Sequence, residues 1–240
     1  MTKWNLLMLL VLVGGLGFAR ASAGYEEDVF KTSKGDLKIT CIGHATLMLS
    51  WAGKVVHVDP VTGYAYWPDF PKADLILVTH EHGDHLDPKS IAELKKAGTE
   101  IVATKSCSGQ VPEAIVMANG ESRTVQGVGI EAVPAYNIVN ARFHPKGNGN
   151  GYVLTLGDTR VYIAGDTENT AEMKSLKNIG IAFLPMNLPY TMTPEMVADA
   201  AKAFRPKVLY PYHYGDTDPQ KLVDLLKNEK GIEVRVRNLK

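Results

Sequence analysis

The sequence lacks an excess of charge of either sign, with 26 basic and 26 acidic side chains among 240 residues. Proteins that bind nucleic-acid phosphates normally carry an obvious basic excess, so this balance argues against a nucleic-acid partner. Glycine and proline number 22 and 13 and follow no period or tract, which excludes collagen-like and low-complexity chains. The remaining composition is that of an ordinary globular protein, long enough for one large domain or two small ones.

The apolar run near the N-terminus is too short to cross a bilayer. It extends from Leu6 to Phe18, whereas about 20 residues are needed to span the hydrocarbon core. Lys3 precedes it, and Ala21-Ser22-Ala23 supplies the small-x-small pattern that a signal peptidase cleaves. We therefore expect residues 1–23 to be a cleaved signal peptide, with an uncleaved anchor as the alternative. The mature chain, 24–240, is then expected to be a single domain, periplasmic or secreted, without a stable membrane anchor.

Cysteine is scarce, and several catalytic motifs are missing. Cys41 and Cys107 are the only two cysteines and belong to no CxxC motif, so two separate thiols are favoured. An oxidising compartment would also permit a bridge between them, and the sequence leaves both possibilities open. No Gly-x-Ser-x-Gly occurs, which sets serine catalysis aside. The glycine-rich stretch 146–151 lacks the Gly-Lys-Ser/Thr ending of a phosphate-binding loop and is read as a mobile hairpin or lid.

Short β-branched or apolar runs alternate with helix signals along the mature chain. Proline after a capping residue predicts helices beginning at Asp87-Pro88, at Thr193-Pro194 and at Asp218-Pro219, the last ending near Gly231. The early strands follow one another directly and the later ones alternate with helices, which favours a layered α/β fold with mixed sheets. The expected strands are Leu37–Cys41, Thr46–Ser50, Val55–Val58, Leu75–Val78, Ile101–Thr104, Ile130–Val133, Tyr152–Leu156, Val161–Ala164, Ile181–Leu184 and Val208–Tyr210.

A dense group of histidines follows the apolar strand 74–78. The segment reads Thr79-His80-Glu81-His82-Gly83-Asp84-His85 and holds three of the seven histidines. Imidazole and carboxylate are preferred ligands of zinc, iron and manganese, and a turn at a strand end lets these side chains converge. Four potential ligands so close together cannot all reach one tetrahedral ion without strain. The segment therefore predicts a site for two metals, with a surface histidine loop as the alternative.

The pattern His-x-His-x-Asp-His resembles the signature of the metallo-β-lactamase superfamily. Other segments agree in order and spacing: Val58-Asp59-Pro60, Ala164-Gly165-Asp166-Thr167 and Tyr212-His213-Tyr214-Gly215. Within that superfamily the chain is similar to small hydrolases related to ascorbate-6-phosphate lactonase and N-acyl phosphatidylethanolamine phospholipase D. Gly43-His44-Ala45, Leu184-Pro185 and Tyr190-Thr191-Met192 support this branch. The resemblance implies a four-layer αβ/βα sandwich with two mixed β-sheets and a site at one edge.

Carried over by position, the resemblance assigns the ligands as follows. His80 and His82 would bind the first metal, Asp84, His85 and His213 the second, and Asp166 would bridge both. Asp158, in a second Gly-Asp-Thr, competes for the bridging role. It separates two β runs and reads as a hairpin turn, so Asp166 is favoured.

One segment departs from the family pattern. Members usually present a further histidine for the first metal between the motif and the bridging aspartate, where this chain has Pro134-Ala135-Tyr136-Asn137. Asn137 could supply a weak oxygen ligand, His144 could swing in from Phe143-His144-Pro145, or the first site could be under-ligated. We favour His144, with a histidine in a polar loop as the alternative.

Several other side chains are expected near the site. His44 would line the pocket or support a ligand, or else be a core histidine, and Asp59 would play a similar supporting part. His57 is favoured as a core residue. Tyr190 is one of several tyrosines that could donate to a developing oxyanion. The aromatic segment 64–70 would form a substrate wall or, as is more common, pack in the core.

Paired metals imply hydrolysis. The expected cofactors are two divalent ions, zinc in the first instance with manganese or iron as alternatives, and a bridging hydroxide would attack an ester, lactone or phosphodiester. Asp84 and Asp166 would be catalytic as well as ligating. The expected substrate is a small molecule or is lipid-like, and the oligomeric state is not predicted. Two alternatives stay open: a non-catalytic metal-binding or sensing protein, motivated by the absent histidine, and a β-lactam hydrolase, suggested by export alone.

Overall fold

The structure is a computed structural model that describes residues 24–240. The expected signal peptide, residues 1–23, lies outside the described residues. Within 24–240, none of the helices combines the length and the apolar character that a bilayer crossing requires.

The first half of the described chain forms a seven-stranded sheet in sequential order. Strands β1 to β4 are antiparallel neighbours, and β4 to β7 are parallel. The change from hairpins to parallel pairing makes this sheet mixed. Its strands are β1 (Glu26–Thr32), β2 (Gly35–Gly43), β3 (Thr46–Trp51), β4 (Lys54–Val58), β5 (Leu75–Leu77), β6 (Glu100–Ala103) and β7 (Ile115–Val116).

The second half repeats this arrangement. A seven-stranded sheet again follows chain order, antiparallel from β8 to β11 and parallel from β11 to β14. Its strands are β8 (Ser122–Val125), β9 (Val128–Ala135), β10 (Gly149–Leu156), β11 (Thr159–Ile163), β12 (Ile181–Pro185), β13 (Val208–Tyr212) and β14 (Glu233–Val234).

The helices lie on the outer faces of the two sheets. They are α1 (Pro88–Leu94), α2 (Ala171–Lys174), α3 (Pro194–Phe204) and α4 (Gln220–Leu226), with 3₁₀ turns at Trp67–Asp69 and Lys105–Gly109. The predicted starts are confirmed for α1 and α3, whose caps Asp87 and Thr193 accept from backbone N–H groups. Helix α4, the last of the three predicted helices, also starts as predicted. It ends at Leu226 and not near Gly231, because the chain leaves it through tight turns.

Alternating side chains of the first sheet enter two different cores. Leu75 and Leu77 point into the large central core between the sheets. This core belongs to one continuous apolar cluster, which also includes residues of helices α3 and α4. Ile76 points the opposite way, into a smaller core with Leu94 of α1. The layers are therefore helix, sheet, sheet and helices, which confirms the predicted αβ/βα sandwich with two mixed sheets.

The two cysteines lie in different cores. Cys41 belongs to the central core and Cys107 to the smaller one, and both are free and buried. This agrees with two separate thiols. Burial raises the pKa of the Cys41 thiol to about 12, so it behaves as a small apolar side chain.

Candidate metal centre

The candidate ligands leave the carboxyl ends of parallel strands at one edge of the sandwich. In the first sheet β5 ends at Leu77 and leads into the histidine segment. In the second sheet β11 ends at Ile163, shortly before Asp166, and β13 ends at Tyr212, directly before His213. Because the carboxyl ends of parallel strands meet at the same edge, segments far apart in sequence meet there.

Three residues around the site hold the left-handed backbone conformation without being glycine. They are His44, Asp59 and His213, with φ of 53°, 43° and 49°. Such conformations are uncommon for residues with a side chain and concentrate at functional sites. The backbone N–H of His213 also donates to the carbonyl of His44 at 3.1 Å, which joins the two halves beside the pocket.

The structure brings together all six predicted metal-ligating side chains, together with His144. In each of three groups the candidate ligand atoms lie within 4.8 Å of one another. Asp166 contacts both halves: its Oδ2 lies 3.3 Å from Nε2 of His144 and of His213, and its Oδ1 lies 3.4 Å from Nε2 of His85. The groups are His80, His82 and His144; His80, His85 and Asp166; and His44, Asp84, His85 and His213.

The donor atoms of this cluster fit a divalent metal. Five of them are buried and have no hydrogen-bond partner, although each lies close to other ligand atoms. Buried polar atoms are normally paired, and convergent imidazole nitrogens and carboxylate oxygens are the donors that zinc and related ions take. The five atoms are Nε2 of His80, His85, His144 and His213, and Oδ1 of Asp166.

Asp59 orients His85. Nδ1–H of His85 donates to Oδ2 of Asp59 at 2.8 Å, and both side chains are fully buried. This bond directs Nε2 of His85 into the cluster, as carboxylate partners of ligating histidines commonly do. Burial alone would lower the pKa of His85, but Asp166 and Asp59 outweigh it and hold that pKa well above its usual value. The expected supporting part of Asp59 agrees with this geometry.

Asp84 is the accessible carboxylate of the cluster, with 46% of its side chain exposed. Its Oδ2 lies 3.2 Å from Nε2 of His44 and 3.4 Å from Nε2 of His213. Burial would raise the pKa of Asp84, but the neighbouring imidazoles of His213 and His44 hold it well below the ordinary value. His44 also stacks on Tyr64, with ring centroids 5.4 Å apart. His44 is therefore part of the pocket wall and not of the core.

His144 occupies the part of the site that the sequence left open. It is buried, and Nδ1–H donates to the carbonyl of Tyr190 at 3.1 Å, which leaves Nε2 facing Asp166. Asn137 is also buried, but its amide nitrogen donates to the same carbonyl at 2.7 Å and braces the loop. Asp158 lies in the turn between β10 and β11, where its Oδ1 accepts from the N–H of Ser33. The predicted hairpin is confirmed, and the structure brings Asp166 and not Asp158 to the cluster.

Two cavities adjoin the cluster. A small one of about 10 Å³ touches His80, His82, His144 and Asp166. An open one of about 390 Å³ is lined by His44, Asp84, Phe143, Asn187, Tyr190 and other members of the cluster. A larger cavity of about 580 Å³ lies at the amino ends of β11 to β13, on the edge away from the histidines.

The remaining expectations divide between core and surface. His57 is fully buried, and its Nε2–H donates to the carbonyl of Pro71, as a core histidine would. In the aromatic segment 64–70, Trp67 and Phe70 are buried and Tyr66 is exposed, so packing predominates.

Three residues in or next to the site were not predicted from the sequence. Phe143 and Asn187 line the open cavity, and Glu168 is buried behind the loop that carries His144. Phe143 lies directly beside a candidate ligand, which could have pointed to it. No pattern in the sequence indicated that the Glu168 carboxylate would be buried.

Comparisons with known proteins agree with this geometry. The profile of the Beta-lactamase superfamily domain matches residues 38–213. A UPF0173 metal-dependent hydrolase from Thermococcus kodakarensis is 32% identical over 197 residues, covering 76% of this chain and 87% of that protein. One from Methanopyrus kandleri is 31% identical over 221 residues, covering 83% and 95%.

Solved structures of metal-dependent hydrolases also superpose on this chain. A crystal structure assigned to a metal-dependent hydrolase from Parabacteroides distasonis superposes with a TM-score of 0.87 at 51% identity, covering 90% of this chain and all of that one. Igni18, a metallo hydrolase from Ignicoccus hospitalis, superposes with a TM-score of 0.72 at 25% identity, covering 85% and 95%. The chain belongs to the metallo-β-lactamase superfamily. Within it, the protein is a metal-dependent hydrolase.

Proposed function

We propose that this hydrolase cleaves an ester, lactone or phosphodiester bond in a small-molecule or lipid-like substrate, with two divalent cations as cofactors. Zinc is the first expectation, with manganese and iron as alternatives. The observation that carries the proposal is the set of buried, unpartnered nitrogen and oxygen atoms that converge beside an open cavity. A hydrolase needs both features, because the ions must be held and the substrate must reach them.

We assign the ligands by proximity. His80, His82 and His144 would hold one ion, and Asp84, His85 and His213 the other, with Asp166 between them. Two such ions would supply an activated water as the nucleophile and positive charge to offset negative charge on a substrate oxygen.

The chain's own residues would position the reactants. Asp84 presents an exposed carboxylate to the cavity and is held there by His44 and His213, so it can orient the attacking water. Phe143 and Tyr190 meet edge to face at a centroid distance of 4.9 Å and line the same cavity. This pair would pack against the apolar part of a substrate, while the Tyr190 hydroxyl could donate to its polar part.

An activity panel tests the proposal. Zinc-loaded protein is assayed with bis-p-nitrophenyl phosphate, p-nitrophenyl acetate and a homoserine lactone, beside Asp84→Asn and, as control, Asp69→Asn, an exposed aspartate outside the cluster. We expect turnover of at least one class and a loss of roughly 100-fold or more in kcat/KM for Asp84→Asn only. Absence of turnover by fully loaded protein, or unchanged activity of Asp84→Asn, would contradict it.

The non-catalytic alternative was motivated by the missing histidine. The structure brings His144 to His80 and His82, which weakens that motive. The β-lactam alternative rests on export alone, and no geometry in 24–240 favours it. A colour change with nitrocefin at low protein concentration would revive it.

We also propose export, on the basis of Lys3, the apolar run after it and Ala21-Ser22-Ala23. Fractionation of expressing cells followed by N-terminal sequencing tests this. A periplasmic or secreted protein that begins at Gly24 would support it, and an intact N-terminus in the cytoplasm would contradict it.

A further inference from the structure

Glu168 is a buried carboxylate outside the candidate ligand set. Only 2% of the residue is exposed. Its Oε2 accepts from the backbone N–H of Ile138 at 2.7 Å and of Val139 at 2.8 Å, and its Oε1 accepts from Asn140 at 3.2 Å. Across residues 24–240 no cationic side chain forms an ion pair with it. Three consecutive N–H groups thus bind one carboxylate, as backbone nests bind anions.

A buried carboxylate is unfavourable unless its hydrogen bonds are complete. Bonds from backbone N–H groups to an ionised oxygen are stronger than neutral ones, and three of them offset the loss of hydration. The same bonds fix the backbone of residues 138–140, which would otherwise have no partners for these donors. Glu168 therefore determines the conformation of this loop.

The loop that Glu168 fixes is the one that delivers His144. It is closed by the N–H of Asn137, which donates to the carbonyl of His144 at 2.8 Å. Phe143 donates to the carbonyl of Asn140 at 3.0 Å, so the residues held by Glu168 are bonded to those that flank His144. On the pocket side, the Asn140 side chain donates to the carbonyl of Pro189 at 3.2 Å.

Glu168 also connects this loop to Asp166. The two residues are separated only by Thr167, whose hydroxyl donates to the carbonyl of Tyr136 and accepts from its N–H. The N–H of Glu168 donates to the same carbonyl at 3.0 Å. One short segment thus carries the aspartate between the two metal groups and, two residues later, the anchor of the loop that supplies His144.

We propose that Glu168 is the positioning residue of the metal site formed by His80, His82 and His144. This rests on the ligand set of the proposed function. Glu168 belongs to none of the three candidate ligand groups and does not line the open cavity, and it acts by holding His144 at a fixed distance from Asp166.

The test is a zinc titration with Glu168→Gln. Glutamine keeps the size and one oxygen but turns an NH₂ group toward backbone donors. Competition with a chromophoric chelator resolves the two binding steps. We expect the affinity of the His144 site to fall about 10- to 100-fold, the usual loss for a supporting partner, and the other site to be unchanged. Glu131→Gln, in a surface pair with Arg160, is the matched control.

A cycle with His144→Ala separates positioning from general damage. If Glu168 acts through His144, adding Glu168→Gln to His144→Ala lowers zinc affinity by less than about twofold more. Glu168→Asp, which restores the charge at shorter reach, should recover part of the loss and serves if the glutamine variant does not fold. Additive effects, equal weakening of both sites, no effect of Glu168→Gln or no effect of His144→Ala would overturn the proposal.

These measurements do not depend on turnover. Two bound zinc ions with a non-additive cycle but no hydrolysis would reject the proposed function and leave the role of Glu168 in place. Hydrolysis with an additive cycle would reject the role of Glu168 and leave the function in place.

Discussion

Asp59 uses both of its carboxylate oxygens on the histidine segment. Oδ1 accepts from the N–H of Thr79 at 2.8 Å, and Oδ2 accepts from the Thr79 hydroxyl and from His85. One fully buried side chain therefore fixes the residue before His80 and the orientation of His85. Its left-handed backbone, which is unfavourable for an aspartate, is maintained because these three bonds hold it.

His57 shows the opposite kind of buried histidine, one kept neutral. It is fully buried between aromatic rings, and burial lowers its pKa to about 4 from the usual 6.5. Its Nε2–H donates to Pro71 while Nδ1 has no partner. No carboxylate pairs with His57 in the described chain, so protonation would place an uncompensated charge in the core.

This predicts a pH dependence of stability. Between pH 6.5 and about 4 the unfolded chain binds a proton at His57 that the folded chain excludes, so the free energy of unfolding rises with pH. The contribution is complete above pH 6.5 and is lost as pH falls toward 4, amounting to about 3 kcal/mol. Urea unfolding of metal-free wild type and His57→Gln across pH 4–7 measures it. The difference between the two proteins should shrink by this amount at low pH, whereas parallel curves would refute the explanation.

At the scale of elements, the exit from β11 leaves no room for a side chain. Gly165 has φ of +64°, and an added Cβ would lie 2.9 Å from the carbonyl oxygen of Asn150 and 3.1 Å from Cβ of Thr79. The strand thus passes against the start of the histidine segment immediately before Asp166. Close approach here sets the distance between the two halves of the site.

Gly165→Ala should therefore be destabilising and should also displace Asp166. We expect a loss of about 2 kcal/mol in unfolding free energy, from the unfavourable φ and the contact together, with weaker zinc binding. Gly63→Ala is the control, because no atom lies within 4 Å of its added Cβ. Chemical denaturation and chelator competition measure both effects. Equal behaviour of the two variants would show that the close approach is unimportant.

The elements that sequence predicted are those with strong local signals. All ten apolar runs correspond to strands, because buried strands must be apolar. Strands β1 and β8 were missed because each lies at a sheet edge and is mostly exposed. Strands β7 and β14 were missed because two residues have no periodicity. Helix α2 spans only four residues. Such elements exist because neighbours pair or pack with them, which sequence pattern does not record.

The candidate site was likewise predictable where its residues lie in a local sequence pattern. The motif 80–85 has a local pattern, and the resemblance located Asp166 and His213. The position of His144 depends on Glu168, on Tyr190 and on a loop without periodicity, so it stayed open between alternatives. Long-range hydrogen bonds, and not residue type, determine the position of His144.

At the scale of the whole molecule, the cluster combines ligands that come from both sheets. The histidine segment comes from the first sheet, whereas His144, Asp166 and His213 come from the second. An ion bound by ligands from both halves adds its binding free energy to the stability of the complete fold.

Metal removal should therefore lower the melting temperature. At zinc concentrations about 100 times Kd, one site adds about 2.7 kcal/mol, or roughly 5–10 °C for a chain of this length. Thermal unfolding with excess zinc and with chelator gives the difference, and Asp166→Ala should reduce it. An unchanged melting temperature after complete removal of metal would contradict this coupling.

The most direct measurement is an anomalous-difference map at the zinc edge from crystals of zinc-reconstituted protein. We expect two peaks, one among His80, His82 and His144 and one among Asp84, His85 and His213, with Asp166 between them. A single peak, or zinc bound away from these side chains, would contradict the paired-metal site.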